Sequence, residues 1–241
     1  MMVLLSPSNN EGQLMKRQQI LLIRHAESQK NVEGQFDGDP STDRLTDEGH
    51  QLAAAFGAEL RKRIGDNPAE SFVANSGRGQ QTFRAMFGEL NSPTELMSEL
   101  GSMKSGPYSG MNDAELRQNY PDFFQDLQLF RAGLLSGYDV RAPAGSDNWP
   151  EFEKRVATAI DQIKSSSASL KIVICHRSAM MALMVHFARR YLGYPSNHFG
   201  FVTMAPLACA LVTNHEGEDN LIVDSPQAVV HNILVSPLRE P

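Results

Sequence analysis

The chain has 241 residues, 41% hydrophobic and 21% charged, with 28 acidic against 22 basic side chains and a formal charge of −6. At this length one large domain or two small ones can bury a core without staples, and the composition excludes a disordered chain, a collagen-like repeat and a disulfide-held mini-protein. The acidity also argues against a nucleic-acid binder, which presents a basic face.

Residues 1–18 read as a flexible N-terminal arm: Met1–Leu5 is apolar but too short for a signal peptide, and 6–18 is polar. Gln19–Ile23 is an apolar run that ends abruptly in Arg24-His25, the pattern of a strand buried on both faces with polar residues emerging at its C-terminal end. A Gly/Asp/Pro-rich loop follows. Thr46 is then an N-cap, with Asp47 and Glu48 in the first turn and Leu52, Phe56, Leu60 and Ile64 at helical spacing. Ser71–Ala74 reads as a second strand, and 79–90 as a helix burying Phe83, Met86 and Phe87. Residues 94–147 are the least regular, with helical fragments near 113–119 and 121–130. A long helix from Asn148 buries Phe152, Val156, Ile160 and Ile163. Lys171–Cys175 is the third strong strand and again ends in a polar pair, His176-Arg177. Helix 178–192 and strands near Leu207–Thr213 and Leu221–Val223 complete the chain.

Strands alternating with helices predict an α/β fold: a three-layer sandwich whose mainly parallel central sheet is flanked by helices, with an irregular helical insertion. Residues 19–241 form one domain in this reading, and 94–147 are the insertion within it. Cys175 and Cys209 sit in apolar runs without CxxC spacing, as buried thiols of a reducing compartment do. The most apolar helix-length stretch, 172–192, carries two histidines and three arginines and cannot span a bilayer. A cytoplasmic protein with no membrane partner is expected.

In parallel sheets ligands bind beyond the carboxyl ends of the strands, and both His25 and His176 fall there, each beside an arginine. Neutral imidazole is a nucleophile near neutral pH, and guanidinium groups match phosphate oxygens in bidentate fashion. Two such pairs point to phosphoryl chemistry before acyl chemistry. The other histidines show no metal-ligand spacing, so no metal is expected. No GxSxG, P-loop or dinucleotide fingerprint occurs.

Arg24-His25-Ala26-Glu27-Ser28 with Asn31 resembles the RHGES..N signature of the histidine phosphatase superfamily, the phosphoglycerate mutase-like fold. Leu45–Gly49 resembles its LT..G segment and Arg78–Thr82 its RA.QT segment. Ile172–His176 resembles the strand bearing the second histidine, and Phe199–Leu211 the terminal strand region. The matches fall in family order over residues 19–213. The resemblance implies that His25 is the nucleophile and forms a phosphohistidine, that Arg24, Arg78 and His176 surround the phosphoryl group, and that Asn31 is a further donor. It implies no cofactor. The family acid matches Glu99, although the segment from Glu99 to Gly110 is about three residues longer than the family's; Glu95, Glu27 and Glu115 are fallback acids.

For this chemistry His25 must be neutral, its second ring nitrogen donating to a backbone carbonyl, whereas His176 gains by being protonated. Ala26 and Arg177 stand where the family has glycine. Arg177 either adds a cation for a second acidic group on the substrate or turns away into a salt bridge, and Lys104 is a further candidate contact. The first reading is a cofactor-independent phosphatase acting on a small phosphorylated metabolite. The alternatives are a mutase moving phosphate within a sugar acid, and a non-catalytic sensor of a phosphorylated ligand. A mutase needs a second anion site, for which Lys104, Arg117, Arg131 and Arg141 are available. A homodimer is left open.

Overall fold

A computed structural model describes residues 18–36, 43–65, 69–88, 94–192, 204–215 and 218–224, with positions 229 and 233. The predicted arm through residue 17 lies outside the described residues, and the first strand begins at Gln18, one residue earlier than the sequence pattern placed it. The six strands are β1 (Gln18–Arg24), β2 (Ala69–Ala74), β3 (Thr94–Met97), β4 (Leu170–Cys175), β5 (Cys209–His215) and β6 (Glu218–Asp224), in the order β3-β2-β4-β1-β5-β6. β5 runs antiparallel to both of its neighbours, and the remaining pairings are parallel. The helices are α1 (Gln29–Glu33), α2 (Asp47–Ile64), α3 (Gly77–Phe87), α4 (Asp113–Asn119), α5 (Pro121–Arg131), α6 (Trp149–Ser165) and α7 (Arg177–Leu192). None of the described helices is long and apolar enough to cross a membrane.

β1 and β4 lie in the middle of the sheet and are buried on both faces, as a continuous apolar run requires. Alternation along each strand then splits the core. Ile20, Leu22, Val173 and Cys175 pack with α6 and α7 on one side. Leu21, Ile23, Ile172 and Ile174 pack with α2 and α3 on the other. Three layers follow from that alternation. The parallel register pairs Arg24 with Cys175, so the residues after each strand, His25 and His176, emerge side by side.

Over the carboxyl ends lies the insertion. α4 and α5 share a small core of Tyr108, Leu116 and Phe123. A bidentate pair, with Arg141 Nε and Nη2 2.7 and 2.8 Å from the Asp126 carboxylate, ties α5 to the following loop. Hydrogen bonds from Arg141 hold the Asp126 carboxyl below the usual carboxylate range.

Three elements differ from the sequence pattern. α1 and β3 fall where only loop was expected, both being too short to show a period. On α2 the buried stripe is Gly49, Ala53, Gly57, Leu60 and Ile64, and Leu52 is 51% exposed. The cause is close approach of backbones: a Cβ on Gly57 would sit 2.2 Å from the Met86 carbonyl oxygen of α3. The small residues therefore face inward, and the helix rotates Leu52 out to solvent.

Replacing Gly57 by Ala forces α2 and α3 apart and is expected to cost about 1–3 kcal/mol, the range for overpacking. Leu52→Ala is expected to change stability by less than about 0.5 kcal/mol. Urea unfolding midpoints of the two variants check both.

Candidate active site

The carboxyl ends of β1 and β4 and the N-termini of α3 and α7 enclose a cavity of about 260 Å³, roofed by the insertion. Arg24, His25, Arg78 and His176 all line it, and all are at least nine-tenths buried. The two imidazoles lie edge to face with ring centres 4.9 Å apart.

Each ring's protonation follows from its partners. Nδ1 of His25 is 2.7 Å from the Ala26 carbonyl oxygen, which can only accept, so Nδ1 carries the proton and Nε2 the lone pair. Nδ1 of His176 is 3.1 Å from Nε of Arg78, which can only donate, so here Nδ1 is the acceptor. The proton of His176 then sits on Nε2, 2.9 Å from Ser76 Oγ. This corrects the expectation of a protonated His176: Arg78 occupies the position a second ring proton would need. Burial lowers the pKa of both histidines well below the ordinary value. The charges of Arg78 and Arg24 add to this, and His176 is lowered further by His25 and Lys30.

Arg78 is held on three sides. Besides His176, its Nη2 donates to Ser102 Oγ at 3.1 Å and its Nη1 pairs with Asp43 Oδ1 at 3.0 Å. Asp43 Oδ2 also accepts from the Gly77 N–H at 2.6 Å, at the start of α3. Arg24 donates from Nη1 to the Met204 carbonyl oxygen. Burial, with the nearby charges of Arg177 and Arg78, lowers its pKa to about 10.

Of the other expected site residues, two line the cavity and two do not. Asn31 does; its Oδ1 accepts from the Ser28 N–H and Oγ at 3.1 and 3.0 Å, which leaves its Nδ2 protons to a ligand. Arg177 also lines the cavity and is solvent-exposed as a residue. Lys104 does not: its side chain is exposed while its backbone N–H is fixed to Asp147 Oδ2 at 2.9 Å.

Glu99 lies outside the pocket wall as well. It occupies the 3-10 turn 98–100, half-buried and accepting from Ser98 Oγ at 3.2 Å. The next residue, Leu100, is fully buried in the core, which fixes the rotation of that turn; Ser102, not Glu99, reaches Arg78. The fallback acids are placed elsewhere too. Glu27 accepts from Thr46 Oγ1, Glu95 from Gln162 and Glu115 from the Asn112 N–H at the start of α4. The carboxylate that does line the cavity among the described residues is Asp147, whose Oδ2 lies 2.7 Å from Arg155 Nη2. No group of three or more His, Cys, Asp or Glu suited to a metal is found among the described residues.

Sequence reasoning missed Lys30, Asp43, Ser76, Ser102 and Asp147. Lys30 lies five residues beyond His25 and had a signal, a basic residue within the first motif. The other four reach the site only because distant segments meet there.

The sequence profile of the histidine phosphatase superfamily (branch 1) matches residues 20–224. The chain belongs to this superfamily. Among curated histidine phosphatase relatives, the rat 6-phosphofructo-2-kinase/fructose-2,6-bisphosphatase 1 is 27% identical over 170 residues, covering 70% of this chain and 32% of that protein. The Arabidopsis thaliana 6-phosphofructo-2-kinase/fructose-2,6-bisphosphatase is 25% identical over 173 residues, covering 72% of this chain and 22% of that protein. The chain thus spans a third or less of the length of these relatives. Solved structures share the fold. YhfR from Bacillus stearothermophilus superposes with a TM-score of 0.70 at 21% identity, covering 86% of this chain and 96% of that one. A mycobacterial glucosyl-3-phosphoglycerate phosphatase gives 0.68 at 15% identity, covering 86% and 97%. A phosphoglycerate mutase from Bacillus anthracis gives 0.63 at 16%, covering 89% and 96%.

Because the pKa of His25 and of His176 is depressed in this histidine phosphatase fold, the unfolded chain binds more protons than the native one below about pH 6.5. Their contribution to stability is complete above that pH and is lost progressively on acidification below it. Thermal unfolding between pH 7.5 and 5 should show this loss. His176→Asn should flatten the slope.

Proposed function

We propose that the protein is a phosphatase that hydrolyses a small phosphomonoester through a phosphohistidine on Nε2 of His25. The observation that carries this reading is the His25–Ala26 hydrogen bond, which leaves the Nε2 lone pair unprotonated in a floor shared with Arg24, Arg78 and His176. In the transition state of phosphoryl transfer charge spreads over the equatorial oxygens, and fixed cations supply most of the stabilisation. Arg24 and Arg78 are oriented for that role before any ligand arrives, through Met204 and through Asp43, Ser102 and His176. Asn31 and Arg177 are the further donors toward the substrate. With an overall charge of −6, this buried positive focus favours a compact anion over a polymer or a membrane surface. In this reading the leaving alkoxide takes its proton from Glu99, in the turn that precedes Ser102 of the wall.

Less supports a mutase. Of the cations available for a second anion, Arg131 pairs with Asp113 at 2.7 Å, Arg141 with Asp126, and Lys104 and Arg117 lie outside the wall, which leaves Lys30 and Arg177 lining it. The position of Glu99 outside the wall favours a ligand sensor without turnover as the second reading.

Incubation with p-nitrophenyl phosphate, followed by a base-stable, acid-labile phosphoenzyme trap, separates these readings. Turnover with label on His25, and loss of both by at least about 10³-fold in His25→Ala, is the expected outcome. Saturable phosphate binding with neither turnover nor label would establish the sensor instead. Asp43→Asn releases one side of Arg78 and should lower kcat/KM about 10- to 100-fold, chiefly in kcat, as loss of an orienting partner does.

A further inference from the structure

Beyond the phosphoryl floor the cavity changes character. α5 crosses it with Phe123, Leu127 and Phe130 at positions i, i+4 and i+7, a single helix face. Phe36, Tyr108 and Trp149 continue the wall. Tyr108 fixes this surface, meeting Phe36 edge to face at 5.5 Å and Phe123 at 4.9 Å between ring centres. Leu127, Phe130 and Phe36 are half-buried while lining the cavity.

Four polar residues beside this face, Arg131, Asp147, Ser178 and Asn148, bond within the chain, while Lys30, Asn31 and Arg177 line the cavity as well. Both Nη atoms of Arg131 bond the Asp113 carboxylate, at 2.7 and 3.3 Å, and its guanidinium lies 5.7 Å from the centre of the Phe36 ring. Asp147 accepts from Arg155 and the Lys104 N–H, Ser178 Oγ from the Met103 N–H, and Asn148 Oδ1 from the Glu151 N–H. These bonds fix the polar groups at the rim, and the α5 face between them offers a ligand only apolar surface. The size also fits. An apolar cavity of ~150 Å³ admits benzene, so about 260 Å³ accommodates a phosphoryl group and one ring.

We infer that the leaving-group side of this pocket selects a phosphomonoester with an apolar, ring-bearing alcohol, read by the α5 face and the Tyr108 cluster. The inference rests on the phosphatase reading for turnover, but not for binding. Phosphonates test binding without chemistry: calorimetry with 2-phenylethylphosphonate and methylphosphonate compares the two with and without the ring. Hydrolysis of 2-phenylethyl phosphate and glycerol 3-phosphate, both alkyl esters, then compares ring against hydroxyls with similar leaving groups.

The expected result is that the phenyl compounds are favoured at least about 30-fold in affinity and in kcat/KM, the value of burying one such ring. Phe130→Ala or Leu127→Gln should bring that ratio down about 5-fold or more; the second variant alters a half-buried position and keeps the test open if the first misfolds. A phenyl preference in binding without turnover of either ester would uphold the pocket assignment and overturn the phosphatase reading. Equal affinity for the two phosphonates, or faster hydrolysis of glycerol 3-phosphate, would overturn the assignment while leaving the phosphatase reading intact.

Discussion

A buried guanidinium divided among three partners organises this molecule. Arg78 joins the start of α3 to His176 at the end of β4, to Ser102 in the segment after β3, and to Asp43 in the segment before α2. A buried cation is tolerated only when its donors are satisfied and an opposite charge is near. Each of the three segments must therefore sit where Arg78 can reach it. The same bonds set the chemistry, because the Nε–H of Arg78 dictates the tautomer of His176 and its charge helps hold His25 neutral.

Arg24 lies close enough to Arg78 that this charge helps lower its affinity for a proton, and the Asp43 carboxylate pairs with Arg78. A doubly charged phosphoryl group completes such a site electrostatically. The repulsion among fixed cations that costs stability in the folded chain becomes attraction once an anion binds, a common origin of preorganised sites.

The floor and the roof have separate foundations. The floor is fixed by the β1–β4 register and by backbone contacts such as the His25 N–H to the Cys175 carbonyl oxygen at 3.0 Å. The roof has its own apolar cluster around Tyr108, Leu116 and Phe123, stapled by Asp126–Arg141. Changes in the roof can thus reshape the upper wall of the cavity without moving the histidines.

The sequence by itself determined the central strands, the long helices and the floor of the pocket; the edge strand β3 it did not show. Continuous apolar runs that end in Arg24-His25 and in His176-Arg177 suit strands buried on both faces, and residues emerging from adjacent parallel strands meet at one end of the sheet. Tertiary structure decided the remainder. The inward face of α2 turned on how closely two backbones approach at Gly57, which periodicity does not encode. Glu99 matched a family position but was carried out of the wall by the burial of Leu100 one residue later. Asp43, Ser76 and Ser102 carry no local pattern, and the state of His176 depends on a partner 98 residues away. Local sequence fixes what its own periodicity can bury. The protonation of a buried ring, and the face a helix shows to a cavity, are set by whatever the folded chain brings against them.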